Sequence, residues 1–185
     1  MARVCVIGLG YIGLPTAVIL AKAGHKILGI DINEKVVSNV NNGVSHFSEP
    51  NLDRALLSVV SDGILRASKN IETADVFIIA VPTPLKKSNT KIPIPNIDYV
   101  LSAVKSILPV LMKGNSIIIE STCPIGTTNK VKNIILKHTK LNENDFNLAY
   151  CPERVLPGNI MKELIKNDRV VGGHNDKSKE EVIKF

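Results

Sequence analysis

Short, largely apolar blocks fall at residues 4–7, 26–30, 64–67, 76–81, 116–120 and 147–150, and they predict strands. Between most of them lie segments that predict helices, over residues 33–42, 52–61, 97–111, 127–139 and 160–165. A further helix follows the first block directly, and another begins at Ser178. Punctuation agrees with these limits: Gly43 stands at a helix end, Asn51 and Asn96 or Asp98 at helix starts, and Asp62-Gly63 at a turn. Pro109 is awkward near the end of its helix. Residues 44–50 read as a loop, residues 82–95 as a proline-rich loop in which 86–95 is the expected mobile element, and residues 152–159 as polar and irregular. At the far end Val182, Ile183 and Phe185 are apolar with nothing expected to bury them.

Alternating strand and helix segments argue for an α/β fold, a doubly wound and mainly parallel sheet with helices on both faces. The run at residues 76–81 is apolar throughout, as a strand covered on both faces would be. At 185 residues the chain suffices for one domain with a full hydrophobic core.

The first block ends in Gly8-Leu9-Gly10-Tyr11-Ile12-Gly13, a G-x-G-x-x-G pattern between a strand and a helix, which makes the expected fold Rossmann-type. Gly8 permits the sharp turn, Gly10 lets backbone approach a pyrophosphate, and Gly13 lets the helix lie close to the sheet. Pro15 falls in the first helical turn, where a missing N–H costs nothing. The second block closes on Asp31, the acidic residue expected roughly 20 positions past the glycines. Its carboxylate suits the hydroxyls of an adenosine ribose and would repel a 2′-phosphate by up to about 4 kcal/mol, which points to NAD rather than NADP. The alternative is that Asp31 only caps the next helix.

The net charge of +6 is spread over presumed helices and loops without interleaved aromatics, so nucleic acid is not expected as a partner. No apolar run approaches the roughly 18 residues of a membrane span, and no membrane partner is expected. Three cysteines without metal-like spacing suit reduced thiols in a cytoplasm.

In an open α/β sheet, ligands bind outside the carboxyl ends of the strands. Those ends carry Gly8, Asp31, Pro82 with Thr83, Ser121 with Thr122, and Pro152 with Glu153. Thr83 has a fixed backbone between two prolines and a hydroxyl for the cofactor, or else marks a rigid turn. Thr127 and Thr128 read as helix caps. Glu153 either forms an exposed ion pair with Arg154 or, as its position at a strand end favours, serves a site. Cys5 reads as a core residue, and Cys123 and Cys151 lack a neighbouring base. His25, His46, His138 and His174 fall at no strand end, and no metal site is expected.

Residues 8–17 (GLGYIGLPTA), 74–84 (ADVFIIAVPTP), 120–128 (ESTCPIGTT) and 150–158 (YCPERVLPG) resemble, in order, the N-terminal NAD-binding domain of the UDP-sugar 6-dehydrogenases, the UDP-glucose/UDP-mannose dehydrogenase family. That family oxidises the C6 alcohol of a UDP-sugar to a carboxylate, in two hydride transfers to NAD, through a thiohemiacetal and a thioester on a cysteine. The resemblance implies that Tyr11, Ile12, Asp31, Pro82, Thr83 and Thr122 contact NAD. It implies that Thr122 and Glu153 position or activate water, with Glu153 the general base. Arg154, Val155, Leu156, Gly158 and Asn159 would touch the sugar nucleotide. Pro157 stands where UDP-glucose dehydrogenases carry a second glutamate, which favours the N-acetylhexosamine branch.

The nucleophilic cysteine of the family lies in a central domain, and Cys5, Cys123 and Cys151 do not match it. Residues 1–175 are therefore expected to form the cofactor domain and 176–185 to begin a helix leading to that central domain. This chain alone is not expected to complete the reaction, and the full-length enzyme is expected to be a homo-oligomer. A UDP-glucose 6-dehydrogenase fragment and a non-enzymatic NAD-responsive module are the alternatives. The module gives no reason for pairing Ser121-Thr122 with Glu153.

Overall fold

The computed structural model describes residues 1–86 and 93–185. Strand β1 (Arg3–Ile7) sets the layout, because its side chains alternate: Val4 and Val6 join one core layer, Cys5 and Ile7 the other. It pairs in parallel with β2 (Lys26–Ile30) on one side and β4 (Val76–Ile79) on the other. Beyond β2 lies β3 (Leu65–Ser68), and beyond β4 lie β7 (Ser116–Ile119) and β8 (Asn147–Tyr150), all parallel. A short β9 (Gly172–Gly173) adds an antiparallel edge to β8. The order β3-β2-β1-β4-β7-β8-β9 puts the reversal of winding between β1 and β4.

Helices α1 (Gly13–Lys22), α2 (Glu34–Asn41), α3 (Leu52–Ser61), α6 (Ile160–Lys166) and α7 (Asp176–Lys184) cover the face of Val4 and Val6. Helices α4 (Asp98–Ile107) and α5 (Thr127–His138) cover the face of Cys5 and Ile7, around Phe77 and Ile117. The doubly wound α/β architecture expected from the pattern is the one observed.

Several limits shift for local reasons. Helix α4 stops at Ile107 and passes into a single 3-10 turn, Leu108–Val110, because Pro109 cannot donate to the α-helical ladder. Asn33, not Asp31, caps α2: its side chain accepts from Lys35 N at 3.0 Å. The proline-rich stretch is not all loop, since Leu85–Lys86 (β5) and Ile94–Pro95 (β6) pair antiparallel. The centre of the segment expected to be mobile, residues 87–92, lies outside the described residues. Val182, expected to lack cover, is buried, because α7 lies across β7 and β8 and turns it into the first core layer. Ile183 stays exposed, and the Phe185 ring meets His25 edge-on at 5.2 Å. Among the described residues, no helix is long and apolar enough to cross a membrane.

Candidate NAD site and strand-end carboxylates

Gly8 leaves β1 with φ +92°, and a Cβ there would stand 2.6 Å from Ala80 O. Gly13 is tighter, since a Cβ would lie 1.8 Å from Gly8 O. Around Gly10 nothing would come within 4 Å. The outer glycines therefore serve the turn and its packing, and the middle one leaves backbone open to a ligand. Helix α1 starts without a side-chain cap and without an acidic residue in its first turn. Its first N–H groups are thus not taken by a capping side chain, a start that fits a pyrophosphate.

Asp31 sits beside this turn. Its Oδ2 accepts from Leu9 N at 3.0 Å and its Oδ1 from Asn33 N at 2.9 Å. Each oxygen keeps a second lone pair, so the carboxylate can still receive ribose hydroxyls. Ile12 is half-buried at the start of α1, and the exposed Tyr11 ring packs on Phe47 with centroids 4.4 Å apart.

At the neighbouring strand ends, Pro82 is exposed and Thr83 half-buried. Ser121 is structural: its Oγ is 2.8 Å from Val81 O and 3.2 Å from Ile79 O, clasping the end of β7 to that of β4. Thr122 beside it is exposed. Thr127 does not cap α5 as expected, because Gly126, with φ +87°, takes that position and Thr127 Oγ1 donates to Pro124 O at 2.8 Å. The buried Cys5 thiol is pushed up to about 12, and burial pushes Cys123 up to about 11.

At the end of β8, Glu153 does not form its ion pair with Arg154. Its Oε2 pairs with Arg169 Nη1, and its Oε1 accepts from Arg154 N at 2.7 Å. The Arg154 guanidinium turns to Asp168 O at 3.3 Å. Arg169 also donates from Nη2 to Glu120 Oε1 at 2.7 Å and from Nε to Cys151 Sγ at 3.4 Å. Glu120 is 3% exposed, and its Oε2 accepts from Thr16 Oγ1 of α1 at 3.1 Å. Burial pushes the Glu120 carboxyl up, against the pull of Arg169 and Thr16. Burial also works against the Arg169 cation, yet its bonds to Glu120 hold it above the usual guanidinium value.

The loop after Glu153 is tied from two sides. Leu156 N donates to Glu163 Oε2, and Gly158, at φ +91°, donates to Glu49 Oε2, both at 2.9 Å. Asn159 stands at the start of α6, Val155 is half-buried, and Arg154 and Leu156 are exposed. Glu49 is buried and sits two residues from Phe47, so residues 47–49 span from Tyr11 to Gly158.

With this geometry in view, comparison with known proteins is decisive. The model of the UDP-glucose/GDP-mannose dehydrogenase family, NAD binding domain, matches residues 2–185. The chain belongs to that family. As its NAD-binding domain, the chain is 47% identical over 191 aligned positions to the UDP-N-acetyl-D-mannosamine dehydrogenase of Campylobacter jejuni, covering 99% of this chain and 46% of that protein. It is 41% identical to the NDP-N-acetyl-D-galactosaminuronic acid dehydrogenase of Ralstonia nicotianae, over 96% of this chain and 43% of that one. The solved UDP-N-acetyl-mannosamine dehydrogenase of Staphylococcus aureus superposes with a TM-score of 0.91 at 43% identity, over 98% of this chain and 44% of its own. The chain thus spans less than half the length of these relatives.

Within this NAD-binding domain the cofactor turn, Asp31, Thr83, Thr122 and Glu153 all follow carboxyl ends of adjacent parallel strands. Sequence reasoning missed Arg169, Glu120 and Thr16 as a connected group. One signal was available: Glu120 is an acid directly after the apolar run Ile117-Ile118-Ile119, and a buried carboxylate needs a partner. Among the described residues, no group of three or more His, Cys, Asp or Glu could hold a metal.

Proposed function

We propose that this domain serves an NAD-dependent nucleotide-sugar 6-dehydrogenase that takes the C6 alcohol of UDP-N-acetyl-D-mannosamine to the carboxylate in two hydride transfers. One arrangement supports this above all: the open glycine turn with Asp31, and the carboxylate of Glu153, share one edge of one sheet. NAD, when bound, supplies the hydride acceptor. Gly8, Gly10, Gly13 and the start of α1 take its pyrophosphate, Asp31 its adenosine ribose, and Tyr11, Ile12, Pro82, Thr83 and Thr122 line the remainder. Glu153, with Thr122 orienting the water, accepts the proton as that water attacks a sugar thioester. The C–S bond then breaks, releasing the carboxylate and returning the sulfur to its cysteine. That cysteine is none of the three here: Cys5 is sealed in the core, Cys123 is held protonated by burial, and Cys151 is buried behind Arg169.

Arg154, Val155, Leu156, Gly158 and Asn159 contact the sugar nucleotide, and Pro157 in place of a second glutamate favours a 2-acetamido sugar over glucose. Residues 1–175 form the cofactor domain with α7 packed against it, and 176–185 lead on toward a catalytic central domain through which the enzyme associates as a homo-oligomer. The product supplies polysaccharide synthesis in the cytoplasm. The similarity to a galactosaminuronic acid dehydrogenase favours a second sugar, NDP-N-acetyl-D-galactosamine. The test is NADH formation by the full-length protein with each sugar. Two NADH per UDP-N-acetylmannosamine support the proposal, preference for the galacto sugar selects the second reading, and turnover of UDP-glucose alone overturns both.

A further inference from the structure

The polar group behind Glu153 has a geometry that packing alone does not require. Arg169 precedes the edge strand β9, yet its guanidinium reaches inward to carboxylate acceptors that follow two other strands, β7 and β8. All three of its nitrogen positions are used: Nη1 on Glu153, Nη2 on Glu120, and Nε on Cys151 Sγ. Glu120 is in turn held by Thr16, on the helix whose start faces the cofactor turn. A single line of hydrogen bonds therefore runs from α1 through Glu120 and Arg169 to Glu153.

Two carboxylates close to one cation leave little freedom to either. The Glu153 side chain is only 4% exposed and that of Glu120 only 2%, so neither is free to swing in solvent. Without a cation between them the two acids would repel, and Glu153 would turn outward toward water. A planar guanidinium can serve both carboxylates and a sulfur at fixed angles, and a lysine ammonium cannot.

We propose that Arg169, braced by Glu120 and Thr16, is a positioning residue that holds Glu153 in the orientation it needs for hydrolysis, and so acts on that step and not on hydride transfer. This rests on the proposed dehydrogenase activity. Arg169→Gln in the full-length protein is expected to keep the first burst of NADH in rapid mixing with UDP-N-acetylmannosamine, while steady-state turnover falls roughly tenfold or more, the pattern expected of Glu153→Gln itself. Arg169→Lys is expected to recover only part of that loss. Equal loss of burst and turnover, or no loss of either, overturns the inference. A wild-type protein that forms no NADH overturns the proposed activity instead. The brace is then judged by the crystal structure of the Arg169→Gln domain, where a Glu153 carboxylate in its original place overturns it and one turned away supports it.

Discussion

Leu9 N donates to Asp31 Oδ2 at 3.0 Å, so the residue between the first two glycines is tied to the acid that ends the second strand. Asp31 thus shapes the cofactor turn, in addition to the ribose contact proposed for it. Replacing it with alanine removes both effects. Asp31→Ala is expected to weaken NAD about tenfold or more in calorimetry, the cost of losing hydrogen bonds to a charged acceptor. A loosened turn weakens both dinucleotides alike, so the informative quantity is the ratio of NAD to NADP affinity, which should fall because the carboxylate no longer binds the ribose hydroxyls or repels a 2′-phosphate. An unchanged ratio would show that Asp31 does not discriminate.

The three glycines of the motif should separate in experiment. Gly13→Ala forces a Cβ to 1.8 Å from the Gly8 carbonyl oxygen, and backbone on both sides must move. A loss of about 3 kcal/mol or more in urea unfolding is expected. Gly10→Ala meets nothing within 4 Å, so stability should stay close to that of the parent while NAD binding drops. A Gly10→Ala domain that binds NAD normally would contradict the close approach of the pyrophosphate.

Thiol chemistry gives a check that needs no substrate. With Cys123 pushed up to about 11, roughly one molecule in a thousand carries its thiolate near pH 8, and Cys5, at about 12, fewer still. Alkylation of the folded domain by iodoacetamide should spare both and reach them only after unfolding. Rapid labelling of Cys123 in the native domain would mean that its surroundings are wetter than described.

The Asp75 carboxylate accepts from Arg3 Nη2 at 2.9 Å and from Arg3 N at 2.8 Å, and these bonds hold it below the usual carboxylate range. A depressed acid stabilises the fold above its unfolded pKa, and that contribution is lost as pH falls through the folded value. Denaturant midpoints measured from neutral pH down into the acid range should therefore fall less steeply for Asp75→Asn than for the parent. Both side chains are about half exposed, so the effect is small. Identical slopes would remove Asp75 from the acid response.

The linear chain carried enough to specify the layers. Runs such as residues 76–81 can be satisfied only by burial on both faces, and the glycine pattern at residues 8–13 is legible because each glycine answers a local backbone need. Asp31 was visible for the same reason, as the residue that ends a recognisable strand. The partner of Glu153 was not visible. Arg154 is its neighbour in sequence, whereas Arg169 lies 16 residues on and reaches it only because β9 turns back along β8. Thr16 and Glu120, 104 residues apart, meet because α1 packs across the sheet at the end of β7. The burial of Val182 and the bond from Gly158 to Glu49 have the same origin. Periodicity and turn chemistry act over a few residues and determine elements and strand ends. Which charged side chains share a buried space depends on how those elements cross, and that was decided only when the chain closed on itself.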